Sequence, residues 1–181
     1  MKKLIMFAAC AMLAAYTQAA AVGWSMAGAT AFAGDKYMFF IEGQNGATSI
    51  ATITALLDKG DDVSSYAFGS GTVAANGFAN VANTTSGKTV DAGTYTAFYV
   101  VFDSAAPKAG ESKYAVVSGA AGLTKTVAPT TANVTFAAGN QGTFLNTSGN
   151  WAAYGTAIPE PTSGLLMLVG LGALALRRRR A

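Results

Sequence analysis

Thr94-Tyr95-Thr96-Ala97-Phe98-Tyr99-Val100-Val101-Phe102 is the stretch whose reading decides the fold. Side chains alternate between the two faces of a strand, and here aromatic or β-branched residues occupy both sets of positions. The reading is therefore a strand covered on both faces. Working outward, Asp103 to Ser112 carries Pro107 and Gly110 and reads as a loop, after which Lys113-Tyr114-Ala115-Val116-Val117-Ser118 returns antiparallel. Toward the N-terminus, Lys36-Tyr37-Met38-Phe39-Phe40-Ile41-Glu42 reads as a second strong strand, closed by the turn cluster Gly43-Gln44-Asn45-Gly46. Weaker strand patterns lie at Val63–Phe68, Thr72–Ala79, Thr131–Ala137 and Thr143–Leu145.

One segment departs from the period of two. Between Ser49 and Asp58, residues Ile50, Ile53, Leu56 and Leu57 recur at helical spacing, and Gly60 stands where a helix would close. Thr52, Ile53 and Thr54 work against it, because β-branched side chains lose rotamer freedom in a helix. The expected fold is mainly β (α+β): an antiparallel sandwich or rolled sheet with one short helix near residues 49–58.

The two ends of the chain follow a different logic. Lys2 and Lys3 precede an uncharged stretch from Leu4 to Ala15 and a small-residue exit, Thr17-Gln18-Ala19-Ala20-Ala21. A positive start, a short apolar run and small residues make a secretory signal peptide, with the cut after Ala19 or Ala21. Lipoprotein processing at Cys10 is the weaker alternative, since only a very short apolar stretch precedes that cysteine. At the other end stand Pro159-Glu160-Pro161, then GLLMLVGLGALAL from Gly164 to Leu176, then Arg177-Arg178-Arg179-Arg180. No helix runs through the two prolines, which lack an N–H donor. The apolar run would reach about 20 Å as a helix, short of the ~30 Å hydrocarbon core. Snorkelling arginines and local thinning can absorb that mismatch, and the four arginines favour the cytoplasmic side.

This order of tripeptide, apolar span and basic end resembles the PEP-CTERM sorting signal of exported bacterial proteins. The resemblance covers Pro159 to Ala181. It implies that an exosortase-type membrane enzyme reads Pro159, Glu160 and Pro161 and cuts nearby, while Arg177, Arg178, Arg179 and Arg180 act as the membrane stop. The resulting division is a signal peptide at 1–21, a β-rich exported domain at 22–150, a spacer at 151–158 on which Trp151 and Tyr154 still pack against the body, and a sorting tail at 159–181.

The ends also distort the composition. Of the 12 basic residues, Lys2, Lys3 and the four arginines belong to them, leaving six lysines in the body against eight of the nine acidic residues. The body is thus mildly acidic although the whole chain is +3. With no basic cluster between Ala20 and Ile158, nucleic acid is not an expected partner. The chain has no histidine and its single cysteine lies in the leader. Serine–histidine triads, cysteine–histidine pairs, ordinary zinc or copper sites and disulfides are excluded from the mature body.

What chemistry remains would rest on carboxylates and aromatics. Asp58, Asp61 and Asp62 in DKGDD supply oxygen suited to calcium but lack the alternation of an EF-hand loop, and a solvated helix exit explains them too. A glycosidase needs two carboxylates about 5–10 Å apart, and no pair stands out. Trp24 and Trp151, assisted by Tyr37, Tyr66 or Tyr114, could stack on sugar rings or fill the core. Asn83, Asn133 and Asn146 begin triplets of the N-glycan acceptor pattern, which chance also explains.

The expectation is a non-enzymatic protein without cofactors: a structural or adhesive component of the cell surface or of extracellular biofilm polymer. Its expected partners are signal peptidase, an exosortase-type enzyme, the membrane in transit and extracellular polysaccharide. The alternative is a carbohydrate-binding module or weak carboxylate-dependent hydrolase on the same export route.

Overall fold

The structure is a computed structural model that describes residues 18–45 and 49–155. Its centre is the stretch quoted first. Gly93–Phe102 forms strand β6, paired antiparallel along one edge with β2 (Lys36–Ile41) from Tyr37↔Val101 to Ile41↔Ala97. Its other edge is shared by two strands placed end to end. β7 (Lys113–Val117) lies against Tyr99–Phe102 and β8 (Thr124–Val127) against Gly93–Thr96, with a 3-10 turn at Ala121–Leu123 between them. β3 (Gly69–Thr72) extends the sheet beyond β2, and β10 (Trp151–Ala153) extends it beyond β7.

A second sheet is built around β1 (Ala20–Ala27). β4 (Ala79–Val81) and β5 (Thr89–Val90) pair antiparallel with the two halves of one edge, and β9 (Asn133–Asn140) runs along the other. The β1–β9 pair is parallel, the one departure from an antiparallel plan among the described pairings. The two sheets pack face to face as a sandwich, and helix α1 (Ile50–Lys59) covers the outer face of the larger one.

The alternation of β2 and β6 produces these three layers. Ala97, Tyr99 and Val101 point inward with Tyr37, Phe39 and Ile41, against Val22, Trp24, Met26 and Phe136 of the second sheet. Phe98, Val100 and Phe102 point outward with Met38 and Phe40, where Ile53 and Leu57 of α1 close over them. Phe40 and Phe98 stack at 4.9 Å, and Trp24 stacks on Phe39 at 5.0 Å. Each such side chain, fully buried, contributes about 1.5–3 kcal/mol before entropy is counted.

The expected helix is present because its ends are satisfied. The Ser49 hydroxyl accepts from the Thr52 amide as N-cap, and Gly60 closes the helix in the left-handed conformation at φ 83°. Thr54 turns its hydroxyl onto the Ile50 carbonyl within the helix, 2.8 Å away.

Three weak strand expectations are corrected. Val63–Phe68 holds a 3-10 turn at Ser64–Tyr66, because Asp62 Oδ1 accepts from both the Ser64 amide and hydroxyl and offers the backbone a local alternative to a ladder. Thr72–Ala79 is divided between the end of β3 and the start of β4 by a turn at Asn76–Gly77, where Gly77 sits at φ 77°. Thr143–Leu145 belongs to a one-turn helix, α3 (Gly142–Leu145), whose first amide is held by the Asn140 side chain at 2.9 Å. Asn83–Ser86 forms another one-turn helix, α2, closed by Gly87. β1, β5, β8 and β10 had no counterpart in the sequence reading.

Candidate functional site

The body is held at both ends. At the start, Ala19 stands just before β1, while Ala21 is within it: the Ala21 amide donates to the Ala132 carbonyl at 2.8 Å. At the end, the stretch expected to be a spacer from 151 opens with strand β10, Trp151↔Ala115 to Ala153↔Lys113. The chain stays pinned for two residues more. Tyr154 is buried, with its ring against Phe102 at 5.4 Å, its amide donating to Ser112 O and its hydroxyl to Asp61 O. The Gly155 amide donates to Leu57 O at 2.8 Å, at the C-terminal end of α1. A side chain on Gly155 would collide with Ala109, and its φ of 76° is left-handed, so the contact depends on glycine. An edge strand of three residues is too short to show a period of two, which is why β10 escaped the pattern reading.

Pro159, Glu160, Pro161 and Arg177–Arg180 lie outside the described residues. The first described anchor before them is Gly155, and only Thr156, Ala157 and Ile158 separate it from Pro159. Fully extended, that span reaches at most about 14 Å. Among the described residues no helix is long and apolar enough to cross a membrane.

The residues singled out for chemistry do not converge on one site. Trp24 is 3% exposed, stacked on Phe39 and edge-on to Phe68, so its ring faces are not open to a sugar. Tyr37 and Tyr114 are also buried, and Tyr66 only lines the α1 side. Trp151 is the exception. Half-buried, it stacks on Phe32 at 4.8 Å, and its indole N–H is spent on the Leu145 carbonyl at 2.6 Å. Beside this pair is an open cleft of about 260 Å³ edged by Asp103, Lys113, Asn146 and Ser148. Asp103 Oδ1 accepts from the Lys113 amide at 2.7 Å. Partial burial and the neighbouring Asp103 charge both push the Asp35 carboxyl above the usual range. A larger cleft of about 400 Å³ lies across the sandwich, where Ser70, Thr85, Ser86 and Lys88 surround the edge of Trp24. There Lys88 Nζ sits 5.9 Å from the Phe68 ring centroid.

Two of the three DKGDD carboxylates are occupied separately. Asp58 accepts the Tyr114 hydroxyl at 2.6 Å, and Asp62 is held below the usual carboxylate range by its two bonds from Ser64. Among the described residues no three acidic groups come together as a cation site. Burial and the bond to Asp58 push the Tyr114 phenol well above the ordinary tyrosine range. Tyr99 is pushed up further, by deep burial and then by Tyr37, and its hydroxyl has no protein partner. Asn83 opens α2 and is half-buried, whereas Asn133, which opens β9, and Asn146, which caps the end of α3, are exposed.

Residues 157–180 match the family described as the PEP-CTERM protein-sorting motif. No curated protein and no solved structure matches the chain. The match begins two residues after Gly155, the last anchored position among the described residues. The motif marks an exported protein that passes through membrane-linked sorting by an exosortase-type enzyme.

Proposed function

We propose that this chain, carrying a PEP-CTERM sorting signal, delivers a non-catalytic sandwich domain to the cell surface or extracellular polymer, where it serves a structural or adhesive role. The observation that carries the reading is the join: a folded body pinned through Gly155, followed directly by the motif at 157–180. Glu160 is the one charge between two prolines, and Arg177–Arg180 hold the tail on the cytoplasmic side during sorting. The body has no histidine and no cysteine, which supports a role exerted by surface rather than by turnover. Intact mass and peptide mapping of protein from the envelope and medium of the native host test it. Loss of everything beyond the Pro-Glu-Pro region is the expected result, and Glu160→Ala should leave full-length protein in the membrane. A released protein that retains Arg177–Arg180 would overturn the reading.

The Phe32–Trp151 cleft favours a second reading, weak binding of a neutral or mixed-charge saccharide. An aromatic pair offers the apolar face of a sugar a platform, while Asp103, Lys113, Asn146 and Ser148 offer hydrogen-bond partners. Retention of the protein on extracellular polysaccharide should fall for both Trp151→Ala and the milder Asn146→Ala. Equal retention of wild type and both variants removes this reading.

A further inference from the structure

We propose that the mature protein begins at Ala20, with signal peptidase hydrolysing the Ala19–Ala20 bond and not the bond after Ala21. The inference rests on the export reading above. Sequence alone leaves both bonds open, because Ala19-Ala20-Ala21 matches the A-x-A pattern that precedes a cut. Thr17-Gln18-Ala19 also satisfies it, with small residues at the first and third positions before the bond.

The structure separates the two bonds. Gln18 is exposed and Ala19 half-buried, and both precede the sheet. Ala20 is fully buried and belongs to the core cluster between the sheets. The β1–β5 pairing consists of Ala20↔Val90 and Ala21↔Thr89 and nothing else. Ala21 also makes the first pair of the parallel ladder, Ala21↔Asn133. A cut after Ala21 therefore removes the whole strand partner of β5, including the residue paired with the buried Val90, and the start of β9's ladder. A cut after Ala19 leaves every β1 pair in place and, among the described residues, loses the backbone bond from the Gln18 amide to Pro129 O.

The enzyme meets an unfolded chain, so the fold does not shield either bond. What differs is the product: one is a complete sandwich and the other lacks an element. Hydrolysis adds water across the peptide bond, leaving a carboxylate on Ala19 of the leader and an ammonium on Ala20 of the body.

N-terminal mapping of the exported protein tests this directly. Ala20 as first residue is expected, whereas Val22 overturns the inference while leaving export intact. An intact Met1 end on surface or released protein overturns both. Two full-chain variants probe the choice before folding intervenes. Thr17→Leu blocks the third position before the proposed bond and spares the other site, so it should cut correctly processed protein at least tenfold. Ala21→Leu blocks the competing bond and spares the proposed one, so it should be processed to Ala20 as in wild type. The reverse pattern overturns the proposal. If the native product does begin at Ala20, displacing the cut to Val22 should lower the melting temperature by about 3–8 °C.

Discussion

β6 and β1 hold the same position in their respective sheets, each central and each paired on both edges, yet they are built from opposite materials. β6 carries six consecutive buried residues from Ala97 to Phe102, large on both faces, and would be a strand in almost any mainly β context. β1 reads Ala-Ala-Val-Gly-Trp-Ser-Met-Ala, small on the side where α2 presses close. A Cβ on Gly23 would lie 2.6 Å from the Asn83 amide nitrogen, so the backbone of α2 occupies the space that a side chain would need. β6 organises its surroundings, whereas β1 is shaped by what surrounds it. Central position in a sheet therefore does not require a strong strand sequence; it requires that the neighbours supply the burial.

The largest expected effect tests the first half of that contrast. Phe98→Ala empties a fully buried site stacked on Phe40 and should cost about 3–5 kcal/mol. Urea unfolding of the exported protein reads it as a lower midpoint at unchanged slope. A loss under 1 kcal/mol would mean that α1 can collapse onto the gap and that β6 is less dominant than its sequence suggests. Next is Gly23→Ala, which adds one methyl against backbone that cannot rotate away and should cost about 1–3 kcal/mol. If it is neutral, α2 is not held against β1 and the second half of the contrast fails.

The smallest effect concerns a buried hydroxyl on β6. The Tyr99 hydroxyl is buried with no protein partner, so Tyr99→Phe should leave stability unchanged or raise it by up to about 1 kcal/mol. The same residue gives a pH signature. Tyr99 and Tyr114 both have folded-state values raised above the ordinary 10.0, so the folded protein keeps their protons longer than the unfolded chain does. Stability is fully present below pH 10 and falls as pH rises above it. A melting curve from pH 8 to 11 should be flat and then decline, with a shallower decline in Tyr99→Phe. An identical slope in both proteins would place the alkaline sensitivity on Tyr114 and its neighbours instead.

The residues also explain which parts were legible. Lys36–Ile41, Gly93–Phe102, Lys113–Val117 and the helix closed by Gly60 were readable because their own side chains carry the pattern and the stop signal. Val63–Phe68 and Thr143–Leu145 misled because β-branched and aromatic residues there are overruled by side-chain acceptors, Asp62 taking two bonds from Ser64 and Asn140 one from the Gly142 amide. The aromatic candidates for sugar binding were equally ambiguous in sequence. Trp24 and Trp151 are the same residue type near opposite ends of the body, and only packing sends one inside and leaves the other at a cleft.

By itself the sequence determined the sorting signal at 157–180, the mainly β class and the two strongest strands, since each depends on residues adjacent in the chain. The tertiary structure alone decided the parallel β1–β9 pair, the enrolment of Ala20 and Ala21 in a strand, and the pinning of Tyr154 and Gly155 beside α1. Those features join residues up to 113 positions apart, as in Ala27↔Asn140. Their free energy comes from backbone groups and small side chains whose identity carries no periodic signal until a partner lies beside them.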